Sequence, residues 1–138
     1  QKHFFPVLAG CLVGSLTSVG STLALCRLFH VDEALTASLM PKSVTTAIAM
    51  GIAESHGGVA GIAAAAVMAA GIAGAVFAPI FAKLFHITEP VAEGLAIGAC
   101  SHALGTTRAI EIGSVQGAMS SIAICVCGIL TSVLALFL

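Results

Sequence analysis

Long apolar stretches alternate with short polar clusters along this chain. No Asp, Glu, Lys or Arg occurs from Phe4 to Cys26, from Gly57 to Ala82, or from Ile112 to Leu138. Each window exceeds the roughly 20 residues that a helix needs to cross a hydrocarbon layer. A transmembrane barrel would instead alternate polar and apolar residues in segments of about ten, and the chain shows no such segments. The pattern predicts an all-α, polytopic helical membrane protein.

Between the long spans the rhythm changes. Residues 31–40 and 42–53 form short segments, each about half a membrane long at roughly 1.5 Å per residue. Pro41 separates them: it disfavours helix at Met40 and is well placed to begin a new helix. The stretch Ser101-His102-Ala103-Leu104-Gly105-Thr106-Thr107-Arg108 reads as a second break, with Gly105 as its natural breaking point.

The two breaks belong to a repeat. Cys26-Arg27-Leu28-Phe29-His30-Val31-Asp32-Glu33 resembles Ala82-Lys83-Leu84-Phe85-His86-Ile87-Thr88-Glu89, and Thr45-Thr46 is echoed by Thr106-Thr107. Each half reads as a long span, a basic-aromatic-His end, an acidic helix start suited to the dipole, a short segment, a polar break and a second short segment. The expected organisation is repeat one over about 4–56, repeat two over about 57–112 and a last helix over about 114–138. A broken segment either crosses the bilayer as one interrupted helix or turns back as a re-entrant hairpin. Crossing puts Arg27 and Lys83 on one face, as positive-inside logic favours; the hairpin inverts the halves. The sequence leaves both open, with a lean to crossing.

Composition supports the membrane assignment. Of 138 residues, 59% are hydrophobic and 8% charged, against about 25% charged in soluble domains; mean hydropathy is +1.13. A net charge of −1 with no basic run gives no sign of a nucleic-acid partner. Gly10/Gly14, Gly94/Gly98 and Gly113/Gly117 have the small-xxx-small spacing of close helix contacts. The five cysteines read as small hydrophobes; Cys125 and Cys127 lack the second ligand pair that a metal site needs. No cofactor fingerprint appears, nor a nucleophile elbow, so no enzyme is expected. The chain starts with Gln, which suggests a piece of a longer protein, and its opening span is too long for a signal peptide.

The polar breaks carry the functional expectation. Non-helical backbone survives within a bilayer only where protein buries it or water reaches it. A Pro-Lys-Ser-x-Thr-Thr break offers free amides at a helix start, an anion site in its own right, together with hydroxyls and a cation. Paired broken segments near mid-membrane form the usual substrate site of secondary transporters. The candidate substrate contacts are therefore Lys42, Ser43, Thr45, Thr46, Ser101, His102, Thr106, Thr107 and Arg108, with a small carboxylate as ligand and Lys42 as its charge partner. His102, Glu54 and Glu111 are candidates for proton coupling or gating. Competing structural roles are a snorkelling or glutamate-paired Lys42, an Arg108–Glu111 pair on one helix face, a packed His102, and solvated interfacial glutamates.

These motifs also carry a resemblance. PKSVTTAIAM (Pro41 to Met50) with Glu54, Gly57 and Gly58, ACSHALGTTRAIEIG (Ala99 to Gly113) and QGAMSS (Gln116 to Ser121) resemble the LrgB/CidB family of integral membrane proteins over nearly the whole chain. Ala47 stands where the family usually has a second proline, and the family's additional N-terminal helices are missing. The resemblance implies two functions. One is control of murein hydrolase activity and autolysis, by analogy with holins and antiholins, alongside a small LrgA/CidA-type membrane partner. The other is transport of small monocarboxylates such as glycolate, glycerate or pyruvate. It further implies a homo-oligomer in a bacterial cytoplasmic membrane, with the plastid envelope as the second setting. The two polar breaks favour transport, because a pore-forming holin has no use for them.

Overall fold

The computed structural model describes residues 4–137, which form six helices and, among those residues, no strand. Helix α1 spans Phe4–Leu28, α2 Glu33–Leu39, α3 Thr46–Ser55, α4 Ala60–Leu84, α5 Pro90–Ile112 and α6 Ser114–Ala135. Three of them, α1, α4 and α6, are long and apolar enough to cross a membrane. Many of their large side chains face outward, among them Val13, Ile72, Phe77 and Ile129, as lipid-facing helices require.

Helix α1 and helix α4 end in the same way. The Val31 N–H donates to the Cys26 carbonyl at 2.9 Å and the His30 N–H to Arg27 at 3.2 Å; Ile87 and His86 repeat both bonds to Ala82 and Lys83 at the same distances. His30 and His86 each sit at φ 53°, the left-handed residue of a Schellman cap. The chain then restarts as a helix under similar signals. Asp32 caps α2, its Oδ2 accepting from the Ala34 N–H at 3.1 Å, and Pro90 occupies the first turn of α5.

Each cap leads into a hairpin. In α5 the backbone leaves helix geometry at His102, at φ 40° and ψ −135°. On the incoming arm Gly94 abuts Gln116 of α6 and Gly98 abuts Ser120; on the outgoing arm Thr106 bonds to Ser120, and Ile110 abuts Gly117. Equal steps either side of His102 therefore meet the same level of α6. The chain turns back at His102, and both arms end beside the start of α6. Helices α2 and α3 do the same from the other end. Glu33, at the start of α2, and His56, just after α3, border one cavity beside the end of α1. His56 Nε2 also lies 2.8 Å from the Ala135 carbonyl at the end of α6. Deeper in, Ile48 faces Gly128 and Ser43 reaches Ser18.

The lean to fully crossing broken helices is thus corrected: both are re-entrant, and Arg27 and Lys83 lie at opposite ends of the bundle. Hydropathy counts apolar residues but does not report direction, so an arm of half-membrane length reads alike whether it continues or returns. Two boundaries shift as well. The second short segment of the first hairpin begins at Thr46 and not Lys42, because residues 40–43 form turns, Val44 a bend, and Thr45 is extended. The second break falls at His102 and not Gly105, which is helical and buried because its Cα faces the Ser101 side chain.

Helix α6 packs along both arms of the second hairpin and beside α1. Cys11, Ala99, Ala123 and Cys127 form the core at this junction. A second core joins the first hairpin to α4 through Val44, Ala49, Ala53, Ala63 and Val67. Ser38 seals it, its hydroxyl donating to the Ala34 carbonyl and accepting the Val59 N–H, both at 2.7 Å.

Candidate functional site at the hairpin tips

Ser43 Oγ lies 2.5 Å from Ser18 Oγ. Ser18 is ten residues from the end of α1, roughly 15 Å along the helix and half of a hydrocarbon layer about 30 Å thick. His102 lies ten residues before the end of α5, the same number of residues from the opposite end of the bundle. The second hairpin reaches the matching level of α1, where Ala99 faces Gly14. Both tips also share one stretch of α4: Val44 packs in a cluster with Val67, and His102 Nε2 lies 2.8 Å from the Val67 carbonyl. A carbonyl only accepts, so Nε2 carries the proton. Neither α2 nor α3 packs directly on α5, and the tips converge without their arms touching.

The first tip is rich in donors. Lys42 is half-buried, and among the described residues it has no carboxylate partner. Its neighbours include Cys26 at the end of α1 and Cys100, next to the second tip. Thr45 caps α3 without a side-chain bond, and the first amides of a helix lack intrahelical partners. The second tip is packed tightly. Any side chain added at Gly71 would strike the His102 ring and one at Gly74 would strike Ser101, so these two glycines form the slot in α4 that admits the tip. Thr106 donates to the His102 carbonyl at 2.9 Å and lies 2.6 Å from Ser120 Oγ.

Two hydroxyls in this layer stand out. Ser15 is 4% exposed and Ser101 1% exposed, and among the described residues the oxygen of each has no hydrogen-bond partner. A buried hydroxyl left alone costs about 1–3 kcal/mol, so each is a point where a bound polar group would be welcome. Cavities approach the layer from both ends. One of about 390 Å³, bordered by Arg27, His30, Glu33 and His56, reaches Met40 beside the first tip. Another of about 370 Å³ runs between α4 and α5 to Cys100 and Ser101.

The structure therefore gathers Lys42, Ser43, Thr45, Ser101 and His102 around the tips. Thr106 is one turn away and engaged with α6. Thr46 is exposed at the start of α3, and Thr107 is exposed with its hydroxyl on the Ala103 carbonyl. Arg108 lies on the outgoing arm, bound to Glu111 at 2.6 Å with both side chains about half exposed. Glu54 and Glu111 are exposed near the hairpin ends. Sequence reasoning passed over Ser15 and Ser18. Their signal was the hydroxyl stripe Ser15, Ser18 and Thr22, which runs along one face of an otherwise apolar helix.

Residues 1–138 match the LrgB-like family over their whole length. The chain is 36% identical over 131 residues to "Antiholin-like protein LrgB" of Bacillus subtilis (strain 168), covering 95% of this chain and 57% of that protein. It is 37% identical over 133 residues to the protein of the same name from Bacillus mycoides (strain KBAB4), covering 96% and 58%. The chain thus spans under three fifths of the length of these relatives. Neither family nor relative bears an enzyme's name. No solved structure matches the chain.

Proposed function

The chain belongs to the LrgB-like family of membrane proteins, and we propose that it forms the substrate-holding core of a carrier for small carboxylates of the glycolate, glycerate or pyruvate class. The observation that carries this reading is the meeting of two re-entrant tips, from opposite ends of the bundle, on one stretch of α4, the first of them bearing a half-buried lysine with no carboxylate partner among the described residues. Such an arrangement has a physical logic. A carboxylate stripped of water needs a cation and several donors together, and Lys42, the first amides of α3 and the Ser18–Ser43 hydroxyls supply them. The orphaned hydroxyls of Ser15 and Ser101 suit a ligand that also carries hydroxyl or keto oxygen. Opposed hairpins suit alternating access, since withdrawing either tip opens the same site to one side only.

In this reading Lys42 is the charge partner, Ser43, Thr45 and Ser101 are hydrogen-bonding contacts, and His102 holds the second tip on α4 by its bond to Val67. Thr46, Thr106 and Thr107 frame the helix starts. Arg108, paired with Glu111, and the exposed Glu54 lie nearer the hairpin ends and act on access. The cavity between Arg27 and Met40 is the approach from the α1 end. The setting we propose is a bacterial cytoplasmic membrane, with the segments carried by longer relatives completing the protein.

The name borne by the relatives supports a second reading, an antiholin-like protein that acts on autolysis with a small membrane partner. One experiment separates the two. The complete protein is reconstituted into vesicles, and uptake of labelled glycolate and pyruvate is compared with leakage of a large dye. Saturable uptake that Lys42→Ala reduces at least tenfold, with the dye retained, supports the carrier. Dye leakage independent of carboxylate, or uptake indifferent to Lys42→Ala, would overturn it.

A further inference from the structure

The groove between α4 and the incoming arm of α5 continues into a polar mouth. Along α4 it is lined by Ala70, Gly74, Ala78 and Ala82, one residue per turn, with Phe77 and Phe81 on its rim. Its inner end is closed by Cys100 and Ser101. At the outer end Ala82, Ile87 and Glu93 also line a second cavity of about 420 Å³, which holds Lys83, His86 and Arg108. One continuous depression therefore joins a set of basic groups at the end of α4 to an apolar trough that runs toward mid-membrane.

Two of the three acids around this mouth are engaged, while Glu89, next to Thr88, is exposed. Glu93 accepts from the Gln116 amide at 3.1 Å, and Glu111 holds Arg108. Lys83 is exposed and, among the described residues, has no carboxylate partner. The left-handed cap residue His86 places its ring in the same mouth. The last turn of a membrane-spanning helix lies at headgroup depth, where long basic side chains reach the interface.

We propose that this depression is a binding site for an anionic diacyl phospholipid. The phosphate sits between Lys83, His86 and the free donors of Arg108, and one acyl chain lies in the Ala–Gly trough under Phe77 and Phe81. Charge and shape both select this occupant. Basic pockets between membrane helices recognise anionic headgroups, and the trough is too apolar to hold a carboxylate. Bound there, the lipid clamps the incoming arm of the second hairpin against α4. The proposal does not rest on the transport reading, although its trough is the cavity that reaches Ser101 from the α4 end.

The complete protein, purified from nanodiscs of phosphatidylcholine with phosphatidylglycerol or with phosphatidylethanolamine, is assayed by native mass spectrometry for retained lipid. Phosphatidylglycerol is retained in preference, and Lys83→Gln lowers that retention about fivefold, the effect of one basic residue near an anionic surface. Ala78→Phe fills the trough and lowers retention of both lipids, whereas Arg27→Gln at the opposite end changes nothing. Lys83 is exposed, so its variant folds whatever happens at Ala78. Equal retention of all lipids, a preference for phosphatidylethanolamine, or the same loss in Arg27→Gln as in Lys83→Gln would overturn the site.

Discussion

Ser101→Ala on the second hairpin and Ser120→Ala on the helix packed against it remove the same atom and are expected to act with opposite sign. Ser101 Oγ is buried with no partner. Its removal releases an unsatisfied hydroxyl at about 1–3 kcal/mol, offset in part by lost contact with Gly74 and Gly105. The net gain is about 1 kcal/mol. Ser120 Oγ is bonded to Thr106 at 2.6 Å. Removing it loses one interhelical bond, worth on average about 0.6 kcal/mol in a membrane protein, while Thr106 keeps its bond to the His102 carbonyl. The two variants should therefore differ by about 1.5–2 kcal/mol. Unfolding midpoints of the complete protein in detergent, followed by far-UV circular dichroism, measure the difference. Repeating the measurement with saturating glycolate adds the functional half. Ligand stabilises the wild type by mass action, and Ser101→Ala gains less from it, having lost the hydroxyl that the ligand satisfies. If Ser101→Ala is as unstable as Ser120→Ala, Ser101 has a partner in the folded protein and its hydroxyl is no orphan.

The same packing sets further outcomes. A methyl at Gly98 would strike the Ser120 backbone and Ala123, whereas Gly20 faces open space. Gly98→Ala should thus cost about 1–3 kcal/mol by overpacking, and Gly20→Ala should be neutral or gain up to about 1 kcal/mol, read from the same midpoints. At His102 the ordinary helix preference should reverse. Its φ of 40° strains any residue with a Cβ by about 1–3 kcal/mol, so His102→Gly should be more stable than His102→Ala although both lose the bond to Val67. Arg108→Gln breaks an exposed i,i+3 pair and should shift stability by less than about 0.5 kcal/mol; a larger loss would place Arg108 in a buried contact.

The three long helices were legible because lipid demands an uninterrupted apolar run: the charge-free windows beginning at Phe4, Gly57 and Ile112 overlie α1, α4 and α6. The positions of the breaks were partly legible. Pro41 marks the first through its own chemistry, but the second depends on a histidine held at positive φ by its bond to Val67 and by the glycine slot of α4, neither visible locally. Direction was illegible. Whether an arm continues or returns is decided by contacts such as Gly94 with Gln116 and Thr106 with Ser120, which join different helices. Ser15 and Ser18 went unread for a related reason: a serine in an apolar helix matters only when something polar is brought opposite it.

Opposed re-entrant hairpins underlie both the carrier site and its access from two sides, and the sidedness of their ends is the most direct test. Single cysteines placed at Glu33, Glu54, Glu89 and Glu111 in a cysteine-free form of the complete protein are labelled in oriented vesicles with a membrane-impermeant thiol reagent. Positions 33 and 54 are predicted to label from one side and positions 89 and 111 from the other. Labelling of 33 and 54 from opposite sides, or of 89 and 111 from opposite sides, would contradict the hairpins.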